Sequence, residues 1–347
     1  MNQLALDRDR RAMRLAILAS REARKIARPN PWVGAVFVGA DGRVSSGSTR
    51  PPGGDHAEVV AQKRASFDLK GSTLYVTLEP CSHHGKTPPC AEMLIREGVS
   101  RVVIASLDPD ERVSGMGIKM LRDAGVEVEI GLLSTEVKAD LAPYLVHRQL
   151  GRPFTFIKIA ATMDGYIAAS DGTSKWITSG ASRQEVSRLR AYSDVIITGA
   201  GTVRCDDPSL RAHGFEDQSP RRIVLGNIPD SSRILPATSY QGELAKLMVD
   251  LAGAGTVVAM VEAGAKVAKS FLDAGLIDQI NLFLAPKFIG GSDGIKIFDG
   301  VGAQSIAETF DFEIATSRRW GSDIELILHS KWLANFIGSD GSTDNFE

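Results

Sequence analysis

Cysteine is nearly absent, with three in 347 residues, so there is no material for a disulfide framework, and the expected location is the reducing cytoplasm. Aromatic residues make up only 6%, and the formal net charge is −2. The chain therefore lacks both a basic field for a nucleic-acid backbone and an array of stacking platforms for bases, which disfavours an editing enzyme acting on DNA or RNA. No apolar run approaches the roughly 20 residues that span a bilayer, and Met1 to Arg14 is rich in Asp and Arg, unlike a leader peptide. No membrane partner is expected. What the chain does have is 43% hydrophobic content, over a length that suits two ordinary domains with two cores.

Against that background the stretch from His56 to Cys90 carries the chemistry. His56-Ala57-Glu58 is followed, after a strand-like run, by Pro80-Cys81 and then Cys90. One imidazole and two thiolates suit zinc better than magnesium or calcium, and a catalytic zinc site keeps three protein ligands and leaves the fourth position to water. Glu58 is then a spare carboxylate, free to carry protons in a hydrolytic deamination. A plainer reading is a helix capping box, Asp55-x-x-Glu58, in which Glu58 is structural. The two cysteines weigh against it. Their separation is longer than the short Cys-x-x-Cys of the general deaminase signature. The insert, Ser82-His83-His84-Gly85-Lys86-Thr87-Pro88-Pro89, is too polar and proline-rich for a helix and reads as a loop over the metal.

Hydrophobic periodicity gives an alternating pattern. Helices are expected at Arg11 to Ala27, Ala57 to Ala65, Cys90 to Glu97 and Gly117 to Ala124; strands at Val33 to Val38, Thr73 to Thr77, Val102 to Ser106 and Val126 to Ile130. Such alternation predicts a sheet layered between helices. His56 and Glu58, two apart, can serve one metal only at the first turn of their helix. A boundary falls near residues 146–152, where the polar run His147 to Arg152 meets Pro153. Beyond it, strands at Phe154 to Ala160, Val195 to Thr198, Arg222 to Leu225, Thr256 to Val261, Gln279 to Leu284 and Ile324 to His329 alternate with helices at Ser182 to Ala191, Glu243 to Ala252 and Lys266 to Ala274. Gly199-Ala200-Gly201-Thr202-Val203 and Glu262-Ala263-Gly264-Ala265 are glycine turns that hint at nucleotide binding, but Rossmann spacing is not met.

The motifs Asn30-Pro31-Trp32-Val33-Gly34-Ala35-Val36, Gly54-Asp55-His56-Ala57-Glu58 and Thr77-Leu78-Glu79-Pro80-Cys81, continuing through His83-His84-Gly85-Lys86-Thr87 to Cys90, resemble the deaminase half of the bifunctional riboflavin-biosynthesis deaminase/reductase, in which the long loop between cysteines is the normal form. In the second half, Lys158-Ile159-Ala160, Ser174-Lys175-Trp176-Ile177-Thr178, Leu189-Arg190-Ala191, Asp206-Asp207-Pro208 and Val261-Glu262-Ala263-Gly264 resemble the reductase half. The resemblance implies an α/β chain with a cytidine-deaminase-like three-layer domain at residues 1–146, a dihydrofolate-reductase-like domain at 152–333 and a fraying tail at 334–347. It implies Zn2+ on His56, Cys81 and Cys90, Glu58 as the proton shuttle, and Asn30 with the His83 to Thr87 loop around the pyrimidine. It also implies NADPH held by Ala160, Trp176, Thr202, Asp206 and the run Gly264, Ala265, Lys266, Val267, Ala268, Lys269, Ser270. Substrate would meet Ser174, Arg190, Leu210, His213 and Glu262.

The reaction so implied is deamination of a diamino-ribosylamino-pyrimidinone 5′-phosphate, then reduction of its ribosyl chain to ribityl. The expected partners are that small phosphate ester and further copies of the chain. Two departures stand out. His213 replaces the family's arginine, with Arg211 two positions earlier, and histidine lacks the bidentate fork. Only residues 237–255 separate the Arg233 to Pro236 turn from the next strand, where many members have a strand and a helix more. Two alternatives stay open: a deaminase whose second domain only binds substrate or oligomerises, and a non-catalytic zinc-stabilised scaffold in which His83 or His84 closes the site.

Overall fold

The computed structural model describes residues 3–82, 88–109 and 115–338. The described residues divide into two compact units: one runs to Leu150 and takes in Ile337 and Gly338, and the other is Gly151–Phe336.

The first unit comprises α1 (Gln3–Ala23), β1 (Gly34–Val38), β2 (Val44–Ser48), α2 (Ala57–Arg64), β3 (Thr73–Leu78), α3 (Cys90–Arg96), β4 (Arg101–Ser106), α4 (Met116–Asp123), β5 (Glu127–Ile130) and α5 (Ser134–Leu150). Its sheet runs β2-β1-β3-β4-β5. The last three strands are parallel, and β1 is antiparallel to both of its neighbours. Because side chains alternate along a strand, one set, Phe37, Leu74, Val76, Val102 and Ile104, packs on Ala57, Ala61, Leu94, Ile118 and Leu121 of α2, α3 and α4. The alternate set faces α1, where the Tyr75 hydroxyl donates to buried Asp9 at 2.5 Å. Helices thus cover both faces. A Cβ at Gly47 would stand 2.4 Å from the Ala61 nitrogen, so α2 rests directly on β2.

The second unit comprises β6 (Phe154–Thr162), β7 (Tyr166–Ala168), α6 (Gly180–Tyr192), β8 (Val195–Gly199), α7 (Ala200–Asp206), β9 (Arg221–Leu225), β10 (Thr238–Tyr240), α8 (Leu244–Gly253), β11 (Val258–Val261), α9 (Ala265–Asp273), β12 (Gln279–Ala285), β13 (Ile295–Lys296), β14 (Phe312–Trp320), β15 (Asp323–Ser330) and all but the last two residues of α10 (Lys331–Gly338). Eight strands order as β10-β9-β8-β11-β6-β12-β15-β14, and β7 pairs with β13. The run from β10 to β12 is parallel, while β15 and β14 are antiparallel. Ile157, Ile159, Val195, Ile197 and Val261 bury against Met248 and Leu251 of α8 and Phe271 and Leu272 of α9. Alternation then turns Lys158 and Ala160 to the opposite face.

Several boundaries differ from the sequence expectation. The first helix, expected at Arg11 to Ala27, spans Gln3–Ala23: its charged start is accommodated because Asp9 accepts from Tyr75 and Arg101, and the helix stops short of Pro29 and Pro31. His147 to Leu150, read as linker, is the last turn of α5, a helix that tolerates Pro143 in its interior. Strand β2, with sequence VSSGS, was not anticipated. Gly199 to Val203 is no turn: it closes β8 and opens α7. The short interval 237–255 holds both β10 and α8, with β10 completing the sheet edge against β9. Residues 334–338, assigned to a fraying tail, are helical in α10, and 339–347 lie outside the described residues.

Candidate active sites

In the first unit three element ends converge. His56 is the N-cap residue of α2, Cys81 follows the end of β3, and Cys90 opens α3. The His56 Nδ1 lies 3.5 Å from the Cys81 Sγ and 3.4 Å from the Cys90 Sγ, and all three donor atoms fall within 4.8 Å of one another. A tetrahedral zinc with Zn–S near 2.3 Å and Zn–N near 2.05 Å has N···S edges of about 3.5 Å, so the donors fit that ion in both type and spacing. No fourth donor joins them among the described residues. His83 and His84, like the rest of the expected His83 to Thr87 loop, lie outside that set.

Protons are already shared within the cluster. The hydrogen bond to Cys81 outweighs burial and, helped by the Glu58 charge, pushes His56 up to about 9. Hydrogen bonding from Cys90, and against burial from His56, holds the Cys81 thiol well below its ordinary value, whereas Cys90 is raised by that same contact and by burial. One thiol is therefore poised as thiolate, and a soft divalent ion would displace the remaining protons. The Cys90 backbone N–H also donates to the Cys81 Sγ at 3.3 Å.

Glu58 stands at the second helical position of α2, only 4% exposed and outside the donor cluster. Burial raises its pKa, opposed by His56. The capping-box reading fails: the N-cap is His56, no side chain caps the helix, and Asp55 pairs instead with Lys63 at 2.7 Å. Asn30 is exposed on the turn before β1, and continuing the antiparallel β1–β3 register brings that turn toward the Cys81 end of β3. Unforeseen in the sequence is Glu79. Its buried carboxylate accepts from the backbone of Gly115 at 3.0 Å and Gly117 at 3.1 Å, tying the turn that carries Cys81 to the start of α4. A Cβ at Gly117 would stand 2.1 Å from the Pro80 carbonyl oxygen.

The second unit has a cleft at the carboxyl ends of its parallel strands, where open α/β sheets bind ligands. It comprises hollows of about 230 and 630 Å³ that share Lys158, Ala160, Ser174, Arg190 and Asp206. The smaller adds Thr202, Leu210, Glu262, Gly264 and Ala268; the larger adds Trp176, Arg183 and His213. Most of the expected cofactor and substrate residues are thus assembled around one space. Ala265, Lys266, Val267, Lys269 and Ser270 do not line it. That run is helix α9, in which Lys269 turns to Asp273 and the Ser270 hydroxyl donates back to the Lys266 carbonyl. Gly264, the N-cap of α9, gives its N–H to the Thr202 hydroxyl at 3.1 Å, joining α7 to α9.

At the centre lies Glu262. Arg190 Nε and Nη2 donate to it at 2.9 and 2.8 Å, and the Lys158 Nζ is 3.4 Å away. The β6–β11 register explains the meeting: Val261 pairs with Ile157, so the next residues, Glu262 and Lys158, fall side by side on one face. Although burial raises Glu262, the two cations bring it down to about 2. A depressed carboxylate stabilises the fold above its ordinary value, so this contribution persists through neutral pH and is lost as pH falls from about 4.5 through about 2. Lys158, Lys175 and Arg183 were not singled out in the sequence as site residues.

Residues 6–106 match the model of the cytidine and deoxycytidylate deaminase zinc-binding region, and residues 153–326 match that of the RibD C-terminal domain. The chain is 38% identical over 333 residues to the riboflavin biosynthesis protein RibD of Mycobacterium tuberculosis, covering 91% of this chain and 96% of that protein. It is 44% identical over 234 residues to the RibD of Chlamydia pneumoniae, a match spanning 65% of this chain and 62% of that one. Among solved structures, Acinetobacter baumannii RibD superposes with a TM-score of 0.84 at 33% identity, over 94% of this chain and 99% of the other.

Proposed function

The chain belongs to the RibD family of riboflavin-biosynthesis proteins, with a zinc deaminase half and an NADPH-dependent reductase half, and we propose that its two clusters divide the work as follows. The unit ending at Leu150 deaminates a pyrimidine ribosyl 5′-phosphate, and Gly151–Phe336 reduces the product. What carries this reading is the single constellation of His56 Nδ1, Cys81 Sγ and Cys90 Sγ at zinc-tetrahedron spacing, with an unligated buried carboxylate on the same helix turn.

Zinc on those three donors supplies a Lewis acid that lowers the pKa of water toward neutrality. Glu58 moves the protons: it accepts one from the attacking water and passes protons to the ring nitrogen and the departing amino group, so C–NH2 and water become C=O and ammonia. Its place on the same helix turn as His56, buried and outside the donor set, is that of a proton shuttle rather than a ligand. Incubating the protein with the diamino substrate, with and without NADPH, and weighing the products tests the assignment. A mass change for one amino-to-oxo exchange is expected without NADPH, and a further two hydrogens with it. No exchange without NADPH would sink the deaminase reading.

In the second unit, NADPH held in the cleft would supply the hydride for the reduction, and the sugar's ring oxygen released on opening needs a proton. Arg190 cannot give one up, whereas Lys158, beside it on Glu262, can. Lys158→Met is therefore expected to lower reductase kcat about a hundredfold while leaving KM for NADPH within about threefold. An unchanged kcat would remove Lys158 from the proton path.

We read the protein as a cytoplasmic homo-oligomer. Its thiol ligands persist best in a reducing compartment, and among the described residues no helix is long and apolar enough to cross a membrane. Ile314 on β14 and Ile324 on β15 lie on the same face of the outermost strand pair at 66% and 43% exposure, the kind of apolar surface that a second copy covers. Light scattering should find more than one chain per particle, and Ile314→Lys with Ile324→Lys should return it to the monomer; a monomeric native protein would refute the interface.

A further inference from the structure

A phosphate monoester is held best by a guanidinium whose donors point at it in a fixed plane. Arg190 is not free for that duty: its Nε and Nη2 go to Glu262, and its Nη1 donates to the Arg211 carbonyl at 3.1 Å. Lys158 faces the same carboxylate. Arg183, near the start of α6, is different. It lines the larger hollow together with His213, and the one hydrogen bond of its guanidinium among the described residues runs from Nη1 to the Thr178 carbonyl at 2.8 Å. Among the described residues no carboxylate pairs with it. Its guanidinium lies 4.2 Å over the Trp176 ring, which fixes its plane and leaves the Nε and Nη2 edge unused.

Trp176 is itself held in place. It has φ +68, a conformation costly for a bulky residue, is 66% exposed, and its carbonyl accepts from the Lys287 Nζ at 2.7 Å. The cation also sits where the helix dipole disfavours positive charge, so a bound anion would relieve the conflict.

We propose that Arg183, stacked on Trp176, is the phosphomonoester anchor of the reductase cleft, a role for which His213 lacks the donor geometry. This rests on the reductase reading above. Two ligands carry that group: the substrate, as its 5′-phosphate, and NADPH, as its 2′-phosphate.

The test is Arg183→Gln in the full-length, zinc-loaded enzyme, with Arg183→Lys and Arg183→Gln/His213→Arg beside it. If the anchor holds the substrate, KM for the phosphorylated uracil intermediate rises about ten- to a hundredfold, kcat stays within about threefold, and KM for the dephosphorylated nucleoside does not move. If it holds the cofactor, KM rises for NADPH and not for NADH. Either pattern supports the anchor, as does partial recovery in the lysine variant or in the variant with arginine at 213. The idea is overturned if phosphorylated and unphosphorylated ligands lose affinity alike, or if no KM changes beyond about twofold, since Arg183 would then only brace the indole. Calorimetric titration with ribose 5-phosphate and with NADPH reads the same difference without turnover. A wild-type protein that bound these ligands through Arg183 yet reduced nothing would defeat the reductase reading and leave the anchor standing.

Discussion

Glu58→Gln is expected to keep its zinc and lose deamination by about a thousandfold or more. The amide has nearly the same shape, so the turn of α2 that carries His56 is undisturbed and the three donors keep their spacing. What disappears is a group able to take a proton and give it back, and both halves of the hydrolysis depend on it. Metal analysis beside the rate measurement separates this from a ligand effect. If zinc leaves with the mutation, Glu58 is structural; if the rate stays within about tenfold, the proton travels another way. Reduction of supplied uracil intermediate should be unaffected, because the Glu262 cleft is built wholly from residues of the other unit.

Cys81→Ser and Cys90→Ser should each empty the metal site and abolish deamination, again with reduction of the uracil intermediate nearly intact. A serine hydroxyl at either position is a poor partner for zinc, and two remaining donors hold the ion far less firmly than three. Dialysis against a chelator should reproduce the same split in the unaltered protein, with deamination returning on zinc addition. Loss of both activities together would mean that the metal supports the fold of the whole chain, and the division at Leu150 would then be no boundary of independent function.

The His56, Cys81 and Cys90 cluster was legible because each of these residues sits at the end of an element whose interior is plainly apolar. Val76 and Leu78 announce β3 just before Cys81, and Ala91 and Leu94 announce α3 just after Cys90. The His56 and Glu58 spacing even predicted that both must occupy a first turn, and they do. The reductase cleft was less readable from physical pattern alone, since its central contact joins Arg190 to Glu262 and Lys158 to Glu262 across long stretches of chain. Only the strand register, invisible in the sequence, sets Lys158 beside Glu262. Strand β2 escaped because its Ser and Gly residues carry no hydrophobic signature; it exists through pairing with β1 and through the space Gly47 leaves for α2. Strand β14 escaped for the opposite reason: it is largely exposed and has no buried stripe to betray it.

The contact between Gly117 and the Pro80 carbonyl oxygen bears on how this enzyme can change by mutation. Helix α4 donates no ligand atom, yet a single added methyl group at Gly117 would push on the peptide that precedes Cys81. In a survey of all point variants scored by deamination, Gly117→Ala should therefore fall with His56, Cys81 and Cys90, far from its neighbours on the same helix. For anyone grafting the centre onto another scaffold, three ligands and a glutamate are too small a piece. Besides α2 and α3, which carry His56, Glu58 and Cys90, the transferable part has to include the end of β3 together with the helix that leans on it.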